Sequence, residues 1–289
     1  MRDTVTAVDR TYHVLGVPLR TGSLYPGSEN DAQPYRDAGL LTRLREAGCA
    51  AVDDGDLALP SYLPHHAIPP IRSWPGPRIA WDTVSERLEP VLRQSGHVPL
   101  LIGCDCSIVV GTTQALVRAT GDVHVLYVDG DFDDAAPDPA RCQSAAALAV
   151  WLLTHGAPFC AAPLRPSQVT VVGASTPAQS QPPPRSVSLA DVRRLGARNA
   201  ARRALDGVPA SAAILVHLDI DVFSAQAMPA AYFPHAEGLT LAEGAELLGV
   251  LLADSRIRIV ELAEYASLRD GDQRGARDLV ELLTKVLRR

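Results

Sequence analysis

Two short acidic clusters, each behind an apolar run, hold the residues of this chain best suited to chemistry. The first is Leu126-Tyr-Val-Asp129-Gly-Asp131-Phe-Asp133, and the second is Ile214-Leu-Val-His-Leu-Asp219-Ile-Asp221. Alternate carboxylates at a strand end repel one another, so they must share protons, turn to water or surround cations. Two such clusters at the ends of separate strands point to a site for more than one metal ion. Two further strand ends carry groups of the same kind. Leu101-Ile-Gly103-Cys104-Asp105-Cys106-Ser107 turns at Gly103 and presents Asp105, Cys106 and Ser107, while Ile259-Val-Glu261-Leu-Ala-Glu264 puts Glu261 at the end of the last strand. Any one of these carboxylates is equally well explained as a helix N-cap or turn former. Four converging strand ends are harder to explain that way.

The elements that must position these groups alternate along the chain. Strands are expected at Thr11–Gly16, Pro99–Ile102, His124–Val128, Gln168–Val172, Ile214–Leu218 and Ile257–Leu262. Helices are expected at Ala32–Ala47, Trp81–Gln94, Ile108–Thr120, Ala145–Thr154, Leu189–Leu205, Thr240–Leu252 and Arg274–Leu287. Short apolar runs alternating with helical patterns indicate an α/β fold: a mostly parallel, doubly wound sheet with helices on both faces. The Pro/Ser-rich stretch Thr176–Arg185 and the segment Gly27–Asn30 read as loops, and one domain spanning 1–289 is the economical organisation. In such sheets ligands bind beyond the carboxyl ends of the strands, where all four features sit.

Composition narrows the function classes. With 289 residues, 47% of them hydrophobic, the chain can bury a large core. A formal charge of −6 and the absence of a long basic run argue against a nucleic-acid surface. No stretch approaches the roughly 20 apolar residues needed to span a bilayer. The first residues lack a signal-peptide pattern, and five cysteines, Cys49, Cys104, Cys106, Cys142 and Cys160, suggest reduced thiols in the cytoplasm.

Three templates compete for the acidic clusters. An EF-hand loop starting at Asp129 needs Gly at its sixth and Glu at its twelfth position, where the chain has Asp134 and Ala140. A haloacid-dehalogenase-type phosphatase also opens on a strand and two alternate aspartates, but that motif lies near the amino terminus, whereas Asp219-Ile-Asp221-Val-Phe223 comes late. The third template fits the whole chain. The order of segments resembles the ureohydrolase (arginase/agmatinase) superfamily over residues 11–287. Pro26-Gly-Ser-Glu-Asn, Tyr35-Arg-Asp-Ala-Gly-Leu40 and Val52-Asp-Asp-Gly-Asp56 look like its amino-terminal region. Gly103-Cys-Asp-Cys-Ser107 is similar to its Gly-Gly-Asp-His-Ser motif, and Asp129-Gly-Asp-Phe-Asp133 to Asp-Ala-His-x-Asp. His217-Leu-Asp-Ile-Asp221 is similar to Ser-x-Asp-x-Asp, and Val260-Glu-Leu-Ala-Glu264 to Val-Glu-x-Asn-Pro.

The resemblance implies a three-layer arginase-like fold and metal-dependent hydrolysis of a guanidino or amidine C–N bond. It implies two Mn²⁺ ions sharing six ligands and activating a bridging hydroxide, with homo-oligomeric assembly common in the family. Carried over position by position, the ligands are Cys106, Asp129, Asp131, Asp133, Asp219 and Asp221. Asp133 also stabilises the tetrahedral intermediate, and Glu261 holds the guanidinium group of a small-molecule substrate. Two ligands depart from the family: Cys106 and Asp131 stand where it has histidine. The first departure also occurs in the hydroxyarginine hydrolase of D-cycloserine biosynthesis. That enzyme is similar as well in its Val-Glu-Leu-Ala-Glu-like segment and around Met228-Pro229-Ala230 and Tyr232, which implies a modified arginine in secondary metabolism.

Five carboxylates and a thiolate carry up to −6 against the +4 of two divalent ions, so the excess should raise ligand pKa values or leave one group protonated. Cys106 stays neutral beside a hard ion and shifts the site towards Fe²⁺ or Zn²⁺ if it binds as thiolate. A site without metal, in a chain of this fold serving as a binding subunit or in another reaction, is the alternative. A nucleophilic Cys106 activated by Asp105 or a metal is a further one. Two more departures from the family are Ser224-Ala225, where the second aspartate motif usually continues Asp-Pro, and Arg141–Ala145, which lacks the histidine used for proton shuttling. His217 is expected on the strand face opposite Asp219, as a core histidine or a support behind the site, and His124 is read as a core histidine too. His155 closes a helix, and His13, His65, His66, His97 and His235 have no constellation around them. Cys49, Cys142 and Cys160 are small apolar fillers. Specificity is expected from Gly27–Asn30 and Pro137–Ser144.

Overall fold

Each apolar run becomes a strand of one sheet, because residues on both faces of the run have helices to pack against. The computed structural model describes residues 10–22, 29–60 and 63–288. Its eight strands are β1 (Thr11–Leu19), β2 (Ala50–Asp56), β3 (His97–Cys104), β4 (Val123–Val128), β5 (Val169–Val172), β6 (Arg185–Val187), β7 (Ala213–Asp219) and β8 (Ile257–Ala263). They are ordered β2-β1-β3-β8-β7-β4-β5-β6. Every neighbouring pair is parallel, so the sheet expected to be mostly parallel is wholly so.

Alternate strand residues feed two cores. On one face Val14, Leu100, Leu126, Val216 and Leu262 pack with α1 (Gln33–Asp37), α2 (Leu40–Glu46), α6 (Leu189–Leu195), α7 (Ala197–Leu205), α8 (Leu241–Leu251) and α9 (Arg274–Leu287). On the other, Leu101, Val125, Tyr127, Leu215 and Ile259 pack with α3 (Gly76–Leu92), α4 (Ile108–Thr120) and α5 (Ala149–Thr154). A helical layer on each face explains why the central strands read as continuous apolar runs rather than as alternating ones.

All six expected strands are present. The two missed ones, β2 and β6, flank the sheet. β2 carries three aspartates and is mostly exposed, and β6 has three residues at the end of the Pro/Ser-rich loop, so neither shows an apolar run. Two expected helices are each split by a glycine. Gly39, at φ 79°, separates α1 from α2, and Gly196, also at φ 79°, separates α6 from α7. The expected helix at Ala145–Thr154 opens with a 3₁₀ turn, Ala146–Leu148, before α5. The helix expected from Trp81 begins at Gly76. Two helices are secured by capping boxes, Ser188 with Asp191 and Thr240 with Glu243.

Candidate functional site

The groups suited to chemistry meet at the carboxyl ends of β3, β4, β7 and β8. Gly103, at φ 75°, allows the turn after β3, and a Cβ there would lie 2.4 Å from the Ala32 nitrogen. Beyond the turn, Asp105 is spent on structure: it accepts from Ser107 N at 2.9 Å, Ser107 Oγ at 2.5 Å and Gly22 N at 2.8 Å. It makes no hydrogen bond to the Cys106 thiol. The Cys106 thiol instead donates to Asp219 Oδ2 at 2.9 Å. Cys106, Asp129 and Asp219, all buried, bring one ligand atom each within 4.8 Å of the others. A second trio, Asp131, Asp221 and His235, does the same beside it.

The two trios are laced together by backbone donors. Asp129 Oδ1 accepts from Asp131 N at 2.7 Å, Asp219 Oδ1 from Asp221 N at 2.7 Å, and Asp221 Oδ1 from Gly130 N at 3.1 Å. Asp133 joins neither trio. Its Oδ2 accepts from the Tyr127 hydroxyl at 2.6 Å, and its backbone sits at φ 48°. Glu261 Oε2 lies 2.8 Å from His217 Nδ1, and His217 Nε2 lies 3.2 Å from Cys106 Sγ. A His217 tautomer protonated at Nδ1 donates to Glu261 and turns a lone pair to the thiol. Glu264, which the sequence did not single out for a role, accepts from Cys106 N at 3.2 Å and is buried at the same spot.

Several oxygens here are shielded from solvent with no hydrogen-bond partner: Asp129 Oδ2, Glu261 Oε1 and Glu264 Oε2. A buried carboxylate oxygen with no donor from the chain calls for a proton, a cation or an ordered water. Burial, reinforced by Asp221, Asp133 and Asp219, raises Asp129 well above the carboxylate range. Burial and Asp221 raise Asp219, and burial and Asp105 raise Glu264. Asp133 is pushed up to about 8 by burial, with the Tyr127 hydrogen bond pulling the other way. Burial and Asp219 raise the Cys106 thiol, which is neutral without an ion. His235 goes up through contact with Asp221. Carboxylate oxygens with imidazole nearby form a donor set that fits Mn²⁺, and Cys106 adds a softer donor.

Several sequence expectations need correction. His217 lies on the same face as Asp219, not the opposite one, because residues two apart on a strand share a face; it faces Glu261 and stacks on Tyr127 at 4.5 Å. His235 has a constellation after all: Nε2 is 3.3 Å from Asp221 Oδ2 and 3.4 Å from Asp131 Oδ2. It arrives on a loop with no periodic signal. His13 and His97 also have partners: they meet each other at 2.7 Å, and His13 lies 3.3 Å from Asp54. Cys142 is partly exposed rather than a filler. His124 is buried against Thr170 Oγ1 at 2.8 Å as expected, and His155 stacks on Trp151 at the end of α5. Residues 23–28, including Gly27 and Ser28 of the expected Gly27–Asn30 specificity loop, lie outside the described residues. Pro137–Ser144 is anchored by Gln143, which pairs with the 70–72 segment.

With this geometry in view, similarity to known proteins is informative. The sequence pattern of the Arginase family matches residues 10–288. The arginase of Agrobacterium fabrum is 25% identical, covering 97% of this chain and 91% of its own length. That of Brucella melitensis is 26% identical, over 96% and 95%. Among solved structures, Bacillus subtilis arginase superposes with a TM-score of 0.82 at 20% identity, covering 97% of this chain and 99% of that one. Trypanosoma cruzi formiminoglutamase with Mn²⁺ gives 0.77 at 18% identity, over 99% and 95%.

Proposed function

The chain belongs to the arginase family, and from that premise we propose that it hydrolyses a guanidino or amidine C–N bond with the help of divalent metal ions, as a single ureohydrolase-like domain. The observation that carries this reading is the pair of neighbouring trios, in the first of which Asp129 Oδ2 is buried with no hydrogen-bond partner. Cys106, Asp129, Asp131, Asp133, Asp219 and Asp221 would hold the ions: two Mn²⁺, or Fe²⁺ or Zn²⁺ if Cys106 binds as thiolate. Bound there, the ions would supply a water of lowered pKa and a polarising charge.

The protein's own groups do the rest. Glu261 Oε1 offers the substrate cation a charge-assisted contact worth about 1.5–3 kcal/mol, and His217 holds the other oxygen and so fixes the rotamer. Asp133, held by the Tyr127 hydroxyl, would stabilise the tetrahedral intermediate, as the family resemblance implies. The substrate we favour is a modified arginine such as hydroxyarginine, in secondary metabolism, on the likeness of Cys106 and Val260–Glu264. The proposed setting is the cytoplasm, where the free thiols stay reduced, with homo-oligomers as the assembly.

The test is elemental analysis of protein purified without chelator, with urea and hydroxyurea release measured over arginine, agmatine and hydroxyarginine. Two ions per chain and a released urea support the proposal; an ion-loaded chain inert over the panel sinks it. A second reading, a chain of this fold that has given up hydrolysis and serves as a binding subunit or in another reaction, is favoured by the neutral Cys106 thiol directed at Asp219. A folded chain that takes up no ion and is inert over the panel supports that reading.

A further inference from the structure

We propose that His235 is a ligand of the outer ion, supplying from a distant loop the imidazole that Asp131 has displaced. The inference rests on the metal-dependent reading only in requiring that ions bind; it does not depend on what substrate is hydrolysed. His235 Nε2 is shielded from solvent and makes no hydrogen bond, although it lies 3.3 Å from Asp221 and 3.4 Å from Asp131. Without an ion, a proton on the ring answers the two carboxylates; an ion reached by all three donor atoms, which lie within 4.8 Å of one another, would take that proton's place. Two carboxylates match the charge of a divalent ion, and a neutral imidazole adds a donor without adding charge.

Two local substitutions make room for this histidine and hold it. Gly130 stands where the resembled motif has alanine. A Cβ at that position would lie 2.6 Å from His235 Cδ2 and 3.0 Å from Asp221 O and Oδ1, so the ring can approach only because the residue is glycine. Ala225 stands where the resembled motif has proline, and its N–H donates to His235 O at 2.6 Å. Proline has no such donor. The same strip pairs Ser224 with His235 and Phe223 with Leu239, which ties the loop to the segment just after Asp221. Three departures, at 130, 131 and 225, thus serve one histidine. The outer trio reaches solvent through Asp131, 41% exposed, and the edge of the His235 ring, while Asp221 is 7% exposed.

The test counts Mn²⁺ per chain by elemental analysis and titrates each ion by the loss of the free-ion signal in electron paramagnetic resonance. The proteins are the wild type, His235→Ala, His235→Gln and Gly130→Ala, with circular dichroism to confirm folding. Gly130→Ala changes no donor and should act only by pushing the ring away. The expected result is two ions in the wild type, with the weaker one lost or loosened by about 10- to 100-fold or more in all three variants. Two ions held with unchanged affinity in the variants would overturn the assignment and leave the metal-dependent reading standing. A wild type that binds none would overturn both. Loss of one ion in the variants, with no urea released by any protein, would support the ligand and end the hydrolytic proposal.

Discussion

Near the amino ends of β1 and β3, His13 meets His97 at 2.7 Å and Asp54 of β2 at 3.3 Å, and Asp54 meets Arg87 at 3.1 Å. At the carboxyl ends, histidines and carboxylates also gather, but the charges do not balance. Among the described residues, no arginine or lysine forms an ion pair with Asp129, Asp131, Asp133, Asp219 or Asp221. The first arrangement is complete as it stands. The second must keep protons on its carboxylates or take up cations. Histidine–carboxylate contacts alone therefore say little about function; what separates the two ends is whether the negative charge has already been answered by the chain.

Four experiments sharpen or break this contrast. The largest effect belongs to Asp221→Asn, which should cost activity by more than about 100-fold, since even residues that merely support a ligand cost 10- to 100-fold. Circular dichroism should show an intact fold, and full activity in the variant would remove Asp221 from the ion site. Next is the amino-end histidine His124. Burial lowers its pKa to about 4, so between pH 6.5 and 4 the unfolded chain binds a proton that the folded chain refuses. Stability rises with pH through that window and is lost on acidification, by roughly 3 kcal/mol at the acid end. His124→Gln should flatten that limb of a denaturant–pH series; an unchanged limb would mean that His124 is not responsible.

Mn²⁺ should stabilise the wild type by about 2.7 kcal/mol at a hundredfold excess over its dissociation constant, seen as a rise in melting temperature that chelator reverses. The smallest effect is expected from Asp54→Asn. It breaks a partly exposed pair worth about 1 kcal/mol or less and should leave the Mn²⁺ increment untouched. A smaller increment in Asp54→Asn would show that the two ends are coupled.

What was legible in the sequence follows the same division between local and distant. Asp129, Asp131, Asp219 and Asp221 stand directly after apolar runs, so their shared edge can be read from order and spacing alone. Glu264 is equally local but breaks the resembled motif, and its buried position depends on the turn after β8, where it adopts φ 61°. His235 could not be read at all, since its place is set by pairing with Ser224 across a loop that carries no periodicity. His217 was within reach, because the two-residue repeat of its own strand puts it beside Asp219. Among strands, those covered on both faces announced themselves, and the flanking ones did not.

β2 illustrates what that silence is for. Its aspartates made it unreadable as a strand, and Asp53 and Asp56 are held along the sheet margin by Arg36. A bare margin of unpaired N–H and C=O groups invites another chain to add itself and start aggregation. Lined with aspartate and interrupted by Gly55 at φ 73°, this margin repels such a visitor, so the residues that hide the strand from a reader also guard it from its neighbours in solution.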